Sequence, residues 1–218
     1  MPTPVLLTSS GSGSISATYT TASYTPTQGS ALFAAFSCAR GAAAQTPTLS
    51  GNDATWTEVG RITFGATLYR TTLFRATGPA WSAGTLTATF ANTHLNCCWS
   101  VFEVPTIDEV IAFATDSGSS TTPAVTLGAF SSADHITVGI FGLATSSSFT
   151  VGSGFTELSD TAVSSLTLAV EYVETSDTSV DGTWANDTAW GGFACQIGYK
   201  PGHGRSVGLG TRSISGAW

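Results

Sequence analysis

The stretch that decides the fold class is Thr85-Leu86-Thr87-Ala88-Thr89-Phe90, in which hydroxyl and apolar side chains alternate. Successive side chains of a β-strand point to opposite faces, so this period of two predicts a strand with one buried face. The same alternation recurs over residues 166–172. No convincing helical pattern is present, because the alanine run at 42–44 is short and is bracketed by Gly41 and Pro47. The sequence therefore predicts an all-β protein.

Turn clusters such as Gly51-Asn52-Asp53 and Gly152-Ser153-Gly154 divide the remaining chain into short segments. Apolar and β-branched residues are concentrated in the segments between these clusters. Further strands are expected at 31–36, 55–64, 67–76, 95–104, 110–115, 122–128, 135–142, 155–158, 178–184 and 190–199.

An internal repeat organises these strands. Trp56-Thr57-Glu58-Val59 aligns with Phe155-Thr156-Glu157-Leu158, about one hundred residues later. Flanking segments follow in the same order: 32–36 with 136–141, 72–76 with 169–173, 85–90 with 179–184, and 97–104 with 192–199. An internal duplication with about five strands per half is predicted, and the halves are expected to close on each other as one sandwich. Two separate small domains are the weaker interpretation, because the 103–108 connection is too short for a flexible linker.

The predicted domain is an antiparallel β-sandwich over 31–200, with repeats at 31–104 and 110–199. Residues 1–30 are expected to form a Thr/Ser-rich arm with a first strand, and 201–218 a Gly/Arg tail. Such ends normally fray unless a neighbour holds them. We therefore expect a homo-oligomer, with a trimer as the working assignment, whose ends lie across adjacent subunits.

Charge is sparse and unevenly placed. Only 10% of the 218 residues are charged, against about a quarter in an ordinary domain. The seven cations are Arg40, Arg61, Arg70, Arg75, Lys200, Arg205 and Arg212, so residues 76–199 contain none. Since nucleic-acid binding requires clustered cations, no nucleic-acid partner is expected for the body of the protein.

The N-terminal sequence lacks the pattern of a targeting segment. Residues 1–8 have no cationic region and an apolar run of three residues, and no stretch approaches the length of a membrane span. Neither a membrane partner nor secretion by a signal peptide is expected. Because the hydroxyl-rich composition is typical of extracellular proteins, synthesis in a host cytoplasm and release within a particle are predicted.

Four cysteines, Cys38, Cys97, Cys98 and Cys195, allow three pairings. Without a secretory signal they are expected to be reduced. Cys97 and Cys98 are adjacent in a predicted strand, so their side chains should point to opposite faces. The four are predicted to act as small apolar core residues, because no spacing resembles a zinc site.

The catalytic inventory favours a protein that is not an enzyme. His94, His135 and His203 are the imidazoles, and Asp134 directly precedes His135 so that the two side chains diverge. Glu171 and Glu174 are an odd number of positions apart and should face opposite ways in a strand. Asp177 to Asp181-Gly182 is faintly similar to a calcium loop but lacks its ladder of acidic residues. No catalytic, cofactor or metal site is therefore predicted.

Six tryptophans supply candidate contact surface. Trp56, Trp99 and Trp184 are expected in the core, Trp81 and Trp190 at loop or strand edges, and Trp218 at the terminus. Exposed tryptophans could form a sugar-binding platform, although packing in the core or between subunits is favoured.

Residues 51–59, 73–76, 84–90 and 99–104, together with 136–141 and the closing strand 193–199, resemble a loose family of Thr/Gly-rich jelly-roll β-sandwich domains. This family occurs in virion proteins of tailed phages and in bacterial surface proteins. The resemblance implies a jelly-roll-like sandwich used as a structural, decorating or adhesive module, with no catalytic residues to transfer.

A non-enzymatic phage virion protein is accordingly expected, specifically a head decoration or cement protein that binds the major capsid protein or other virion subunits. The alternative is a carbohydrate-binding module of a tail fibre or surface adhesin. Candidate partner-binding residues are Arg205 and Arg212 for acidic groups, Trp218 as a terminal anchor, and His203.

Overall fold

The computed structural model describes residues 3–78, 80–105, 109–129 and 135–198. Within these ranges it contains sixteen β-strands and no helix, and every named strand pair is antiparallel. The predicted all-β class is confirmed. The alternation at 85–90 lies mainly in a strand whose buried positions, Ala88 and Phe90, are those that the pattern indicates.

The strands fall into two halves of eight. The first half comprises β1 (Val5–Ser12), β2 (Ser16–Thr20), β3 (Ala31–Ala39), β4 (Thr48–Ser50), β5 (Thr55–Phe64), β6 (Tyr69–Thr77), β7 (Thr87–His94) and β8 (Asn96–Val104). The second comprises β9 (Glu109–Ser120), β10 (Ala124–Thr126), β11 (Ile136–Leu143), β12 (Thr150–Val151), β13 (Thr156–Val163), β14 (Leu166–Val173), β15 (Ser179–Thr183) and β16 (Thr188–Gly198).

The two halves have the same topology. The first half forms a five-stranded sheet, β1-β8-β3-β6-β5, and a three-stranded sheet, β2-β7-β4. Adding eight to each strand number gives the order in the second half, β9-β16-β11-β14-β13 and β10-β15-β12. Eight antiparallel strands in two sheets with this order form a jelly roll. We call the halves the first roll and the second roll.

The expected count of about five strands per half is too low. The predicted strands are present, but β2, β4 and β12 were not among them, and β1 was expected only as a first strand without bounds within residues 1–30. These four lie at sheet edges, where backbone pairing rather than an apolar stripe holds the strand. In β1, for example, the sequence is VLLTSSGS and no described position is fully buried.

Three apolar cores separate four layers of sheet. Each roll has its own core between its two sheets, around Leu86 and Phe36 in the first roll and around Phe141 and Trp184 in the second. A third core, which includes Phe33 and Phe193, lies between the two five-stranded sheets. Each half is thus a sandwich by itself, and the two sandwiches also pack face to face, so the single sandwich expected from the two halves together is instead a pair.

This layering explains the character of the central strands. β3 and β8 have a core on each face, and all nine residues of each strand are buried. β11 is likewise buried along its whole length. A strand covered on both sides reads as a nearly continuous apolar run, as in ALFAAFSCA, rather than as an alternating one.

The contact between the rolls follows an approximate two-fold symmetry. The edge strand β1 packs on β13, and β5 packs on β9. Because β1 corresponds to β9 and β5 to β13, these are equivalent contacts, as in a symmetric dimer interface. A buried hydrogen bond from Ser159 Oγ to Ser100 Oγ, 2.8 Å long, also crosses this contact.

The N-terminal segment belongs to the first roll. A Thr/Ser-rich arm with a first strand was expected over residues 1–30, but the segment contributes two strands to the roll: β1 pairs with β8 from Val5 to Ser12, and β2 pairs with β7. Tyr19 and Tyr24 are buried in the core of the first roll. The Thr/Ser-rich composition reflects edge strands with hydroxyl groups towards solvent.

Candidate functional site

The residues predicted to bind a partner lie outside the described residues; they are His203, Arg205, Arg212 and Trp218. The same is true of Asp134 and Lys200. The candidate site is therefore built from the described ranges.

Neither described histidine lies in an open site. His94 is fully buried at the end of β7, where Nε2 accepts a hydrogen bond from the Gln45 backbone N–H. Its Nδ1 lies 3.1 Å from the Asn92 carbonyl oxygen, so this nitrogen carries the proton. Burial lowers the pKa of His94 below its usual 6.5 and favours this neutral form. His135 is also buried, and its Nδ1 contacts the Gln196 side-chain amide.

The buried carboxyl groups of Glu103 and Glu171 accept hydrogen bonds from within the fold. Glu103 accepts hydrogen bonds at 2.7 Å from both the backbone N–H and the hydroxyl of Thr27, which fastens the segment before β3 to β8. The Glu171 side chain is buried in the second roll and accepts one hydrogen bond, 3.1 Å long, from the Gly152 N–H. Glu174, which was expected to face the other way, is partly exposed and accepts a bond from Thr3 Oγ1. Thus the two glutamates do not form a facing catalytic pair.

No metal centre emerges among the described ranges, where no group of three or more His, Cys, Asp or Glu side chains could hold an ion. The segment that was compared with a calcium loop leads into β15, and Asp181 and Gly182 are residues of that strand. In it, the Asp177 carboxylate accepts a 2.9 Å hydrogen bond from the Ser179 backbone N–H.

The surface feature best suited to binding a ligand is a groove around Arg75, near the C-terminal end of β6. On one side a depression of about 340 Å³ is bounded by β5, β6 and β9, so it lies between the rolls. On the other side a depression of about 260 Å³ is bounded by residues 28–31 and by Gly78, Ala80 and Trp81 of the first roll. Arg75 and Thr77 line both. We call this surface the Arg75 groove.

Trp81 is held rigidly in one wall of the Arg75 groove. The Gln28 side-chain amide donates to the Trp81 carbonyl at 2.6 Å and accepts from the Trp81 N–H at 3.0 Å. The indole N–H donates to the Ser30 carbonyl at 3.2 Å. A partly exposed aromatic ring fixed at its backbone and at its ring nitrogen loses little conformational entropy when a ligand stacks on it.

Arg75 supplies a cation with unsatisfied hydrogen-bonding capacity. Its Nε, like that of Arg70, is buried and has no hydrogen-bond partner among the described residues. The other described arginines each donate to an oxygen: Arg40 to the Ala43 carbonyl, Arg61 to Glu58 and Arg70 to Thr46. A guanidinium group suits a planar anion such as a carboxylate, because it presents several donors in a fixed fork.

The opposite wall of the groove adds an exposed aromatic ring. Phe113 of β9 is 47% exposed and lines the depression between the rolls together with Val110 and Thr57. An aromatic face, an unpaired arginine and hydroxyl groups together can contact both the apolar and the polar faces of a sugar or an acidic peptide.

The sequence analysis did not predict this groove, only the edge position of Trp81. Trp81 was expected at a loop edge and is there, whereas Arg75 and Phe113 were read only as strand residues. Trp190 was also expected at an edge, but it is buried in the core of the second roll and donates from its ring nitrogen to Ser120. Trp99 and Trp184 are buried as predicted, and Trp56 is partly buried.

All four cysteines are buried thiols, in agreement with their predicted role as apolar core residues. Cys97 lies in the core of the first roll, whereas its neighbour Cys98 lies in the core between the rolls. The prediction that the two adjacent side chains point to opposite faces is confirmed.

No protein-family model matches the chain, and no curated protein or solved structure matches it either. Within the described ranges, no helix is long and apolar enough to cross a membrane.

Proposed function

We propose that the protein is a non-enzymatic structural component of a phage virion, specifically a head decoration protein that cements neighbouring capsid subunits. The observation that carries this proposal is the pair of jelly rolls fused through a shared core, in which the buried His94 and Glu103 are hydrogen-bonded within the fold. Hydrogen bonds within the first roll occupy both ring nitrogens of His94 and both carboxylate oxygens of Glu103. Such a body is suited to rigid packing and to broad surface contact.

The charge pattern supports a docking role for the C-terminal tail. Three of the seven cations lie in residues 200–218, whereas residues 76–199 have none. Arg205 and Arg212 would form charge-assisted hydrogen bonds to acidic groups of the major capsid protein, and Trp218 would fill an apolar pocket. His203 would join these contacts. In this proposal the body forms a homo-oligomer at the head surface, without nucleic acid or membrane.

Deleting residues 201–218 is expected to abolish binding to phage heads while leaving the fold intact. The measurement is co-sedimentation of the purified protein with heads from a phage that lacks the gene, together with circular dichroism of the variant. A matched variant, Arg61→Ala, removes an exposed cation of the body and should bind heads normally. Full occupancy of heads by the truncated protein would show that the tail is not the docking element.

A second candidate function, carbohydrate binding by a tail-fibre or surface module, is favoured by the Arg75 groove. Its rigid Trp81 and unpaired Arg75 are features that a saccharide site uses. In this alternative the protein would recognise a sugar that carries a carboxylate, because the groove offers a cation.

On a glycan array, this alternative predicts binding of acidic saccharides that falls at least about tenfold in Arg75→Ala and in Trp81→Ala, which corresponds to about 1.4 kcal/mol or more. Arg61→Ala, a surface cation paired with Glu58, is the matched control and should bind normally. A head decoration protein should show no saccharide preference, so a flat array would reject the alternative and leave the structural proposal standing.

A further inference from the structure

Two of the four buried thiols lie in contact inside the first roll. Cys38 of β3 and Cys97 of β8 are directly opposite each other in the antiparallel register. Their sulfur atoms are 2.7 Å apart, and the two residues are 2% and 0% exposed. This contact is independent of the Arg75 groove and of the C-terminal tail.

The backbone around this pair already suits a covalent bond. Directly opposed residues of antiparallel strands have Cα atoms about 4.5 or 5.5 Å apart, and disulfides span Cα separations of about 4.4–6.8 Å. The sulfur atoms need to approach by only about 0.7 Å to reach a bond length of about 2.05 Å. Rotation about the side-chain torsions can supply this approach without a shift of either strand.

The other two cysteines are placed differently. Cys98 points to the opposite face of β8, where its thiol contacts the Leu166 carbonyl oxygen at 3.8 Å across the contact between the rolls. Cys195 lies on β16 in the core between the rolls. Of the three pairings that four cysteines allow, the structure favours one that contains the Cys38–Cys97 link.

The second roll has no thiols at the corresponding place. Gly192 aligns with Cys97 in the repeat, and Phe141 is its partner on β11. A Cβ atom at Gly192 would lie 2.7 Å from Phe141 Cε1, so the aromatic ring fills the space above the glycine. The thiol pair is therefore a feature of the first roll, not a requirement of the fold.

We propose that Cys38 and Cys97 are a redox pair that closes to a cross-strand disulfide when the chain folds in the presence of a small-molecule disulfide. With glutathione disulfide, one cysteine thiolate attacks the oxidant, releases one glutathione and forms a mixed disulfide. The second thiolate then attacks the protein sulfur and releases the other glutathione. Two protein thiols lose two electrons and two protons, and one glutathione disulfide becomes two glutathione molecules.

Because of burial, the thiols are much less reactive once the chain has folded than while it folds. Desolvation, together with the neighbouring Cys38, raises the pKa of the Cys97 thiol well above its usual value. Little thiolate is present in the folded protein, so oxidants react slowly with it. The pair is expected to stay reduced in a reducing cytoplasm and, once closed during folding in an oxidising medium, to resist reduction.

The test is to unfold the full-length protein, refold it in glutathione disulfide with a little reduced glutathione, and count thiols under denaturing conditions. The count is expected to fall from four to two if only this pair closes. Cleavage after glutamate places Cys38 in fragment 1–58, Cys97 and Cys98 in 59–103, and Cys195 in 175–218. The first two fragments should be linked, with the loss of two hydrogen atoms.

Single variants identify the sulfurs. In Cys98→Ala the link must still join 1–58 to 59–103, which then contains Cys97 alone, and Cys195→Ala should also form it. Cys38→Ala and Cys97→Ala should lose it. The oxidised wild type is expected to melt about 5–15 °C above the reduced form, because the bond closes a long loop.

Four free thiols in the refolded wild type would overturn the proposal, and so would a link that persists in Cys38→Ala or that involves fragment 175–218. These readouts do not require the variants to be fully stable, since the fragment pattern of the wild type and of Cys98→Ala already decides which sulfurs are joined.

Discussion

Replacing Glu171 by glutamine is expected to stabilise the protein by on the order of 4 kcal/mol at pH 9 and to leave its stability at pH 4 almost unchanged. Glu171 is fully buried on β14, and one carboxyl oxygen, Oε1, has no hydrogen-bond partner among the described residues. Desolvation is the main reason that its pKa rises from 4.5 to about 8; the nearby Asp181 adds to the rise, and the Gly152 N–H opposes it.

Because the pKa of Glu171 is raised in the folded protein, the free energy of unfolding depends on pH. Between pH 4.5 and about 8 the unfolded chain has released the Glu171 proton while the folded chain keeps it. The free energy of unfolding therefore falls as pH rises through this window, by about 1.4 kcal/mol per pH unit. The contribution is fully present below pH 4.5 and is lost above about pH 8. Asp160, whose pKa burial also raises, acts in the same direction.

His94 has the opposite influence at low pH. Its lowered pKa means that the unfolded chain binds a proton below about pH 6.5 that the folded chain does not take up, so stability falls as the solution becomes more acidic. The wild-type curve thus combines opposing slopes. The difference between wild type and Glu171→Gln isolates the carboxyl, because both proteins share His94 and Asp160.

The measurement is urea unfolding of both proteins from pH 4 to 9. Glu157→Gln is a matched control, because Glu157 is the cross-strand partner of Glu171 but is exposed. A Glu171→Gln curve parallel to the wild-type curve across this range would show that the buried carboxyl is not the group that titrates. If Glu157→Gln abolished the slope instead, the assignment would move to the surface carboxylate.

The repeat was accessible from the sequence because its strands carry core residues in matching positions. Trp56 to Val59 and Phe155 to Leu158 align on a few residues, and they fall at the start of the equivalent strands β5 and β13 of the two rolls. The number of strands was not accessible, since edge strands such as β1 and β4 have few buried positions. Their place depends on hydrogen bonds to the backbone of a distant strand.

The Arg75 groove could be foreseen only in part. Leu73-Phe74-Arg75-Ala76 was read as a core strand, and Phe74 and Leu73 are indeed buried. That Arg75 reaches an opening depends on β9 of the second roll, which supplies Phe113 to the other wall. Such proximity arises from the packing of the two rolls, and no local pattern encodes it. The one available signal was the position of Arg75 between the apolar residues Phe74 and Ala76.

Replacing Gly142 by alanine is expected to lower the free energy of unfolding by about 3 kcal/mol, and the melting temperature by about 6–12 °C. Gly142 lies on β11 of the second roll and faces the first roll. An added Cβ would overlap Thr71 Oγ1 and would lie 2.6 Å from Ser37 Oγ. Thr71 and Ser37 are buried and joined by a 3.2 Å hydrogen bond, so neither can move aside without breaking that bond or shifting a central strand.

The lost free energy should weaken the contact between the two rolls, because the extra methyl group leaves the rest of each roll unaffected. The rolls are then expected to unfold separately. Scanning calorimetry should therefore show a calorimetric enthalpy that exceeds the van't Hoff enthalpy in Gly142→Ala, while the wild type unfolds in one step. The matched control is Gly41→Ala, since no atom lies within 4 Å of a Cβ at this exposed glycine. If the two alanine variants differed in stability by less than about 0.5 kcal/mol, the close approach of the rolls at Gly142 would not be a determinant of their association.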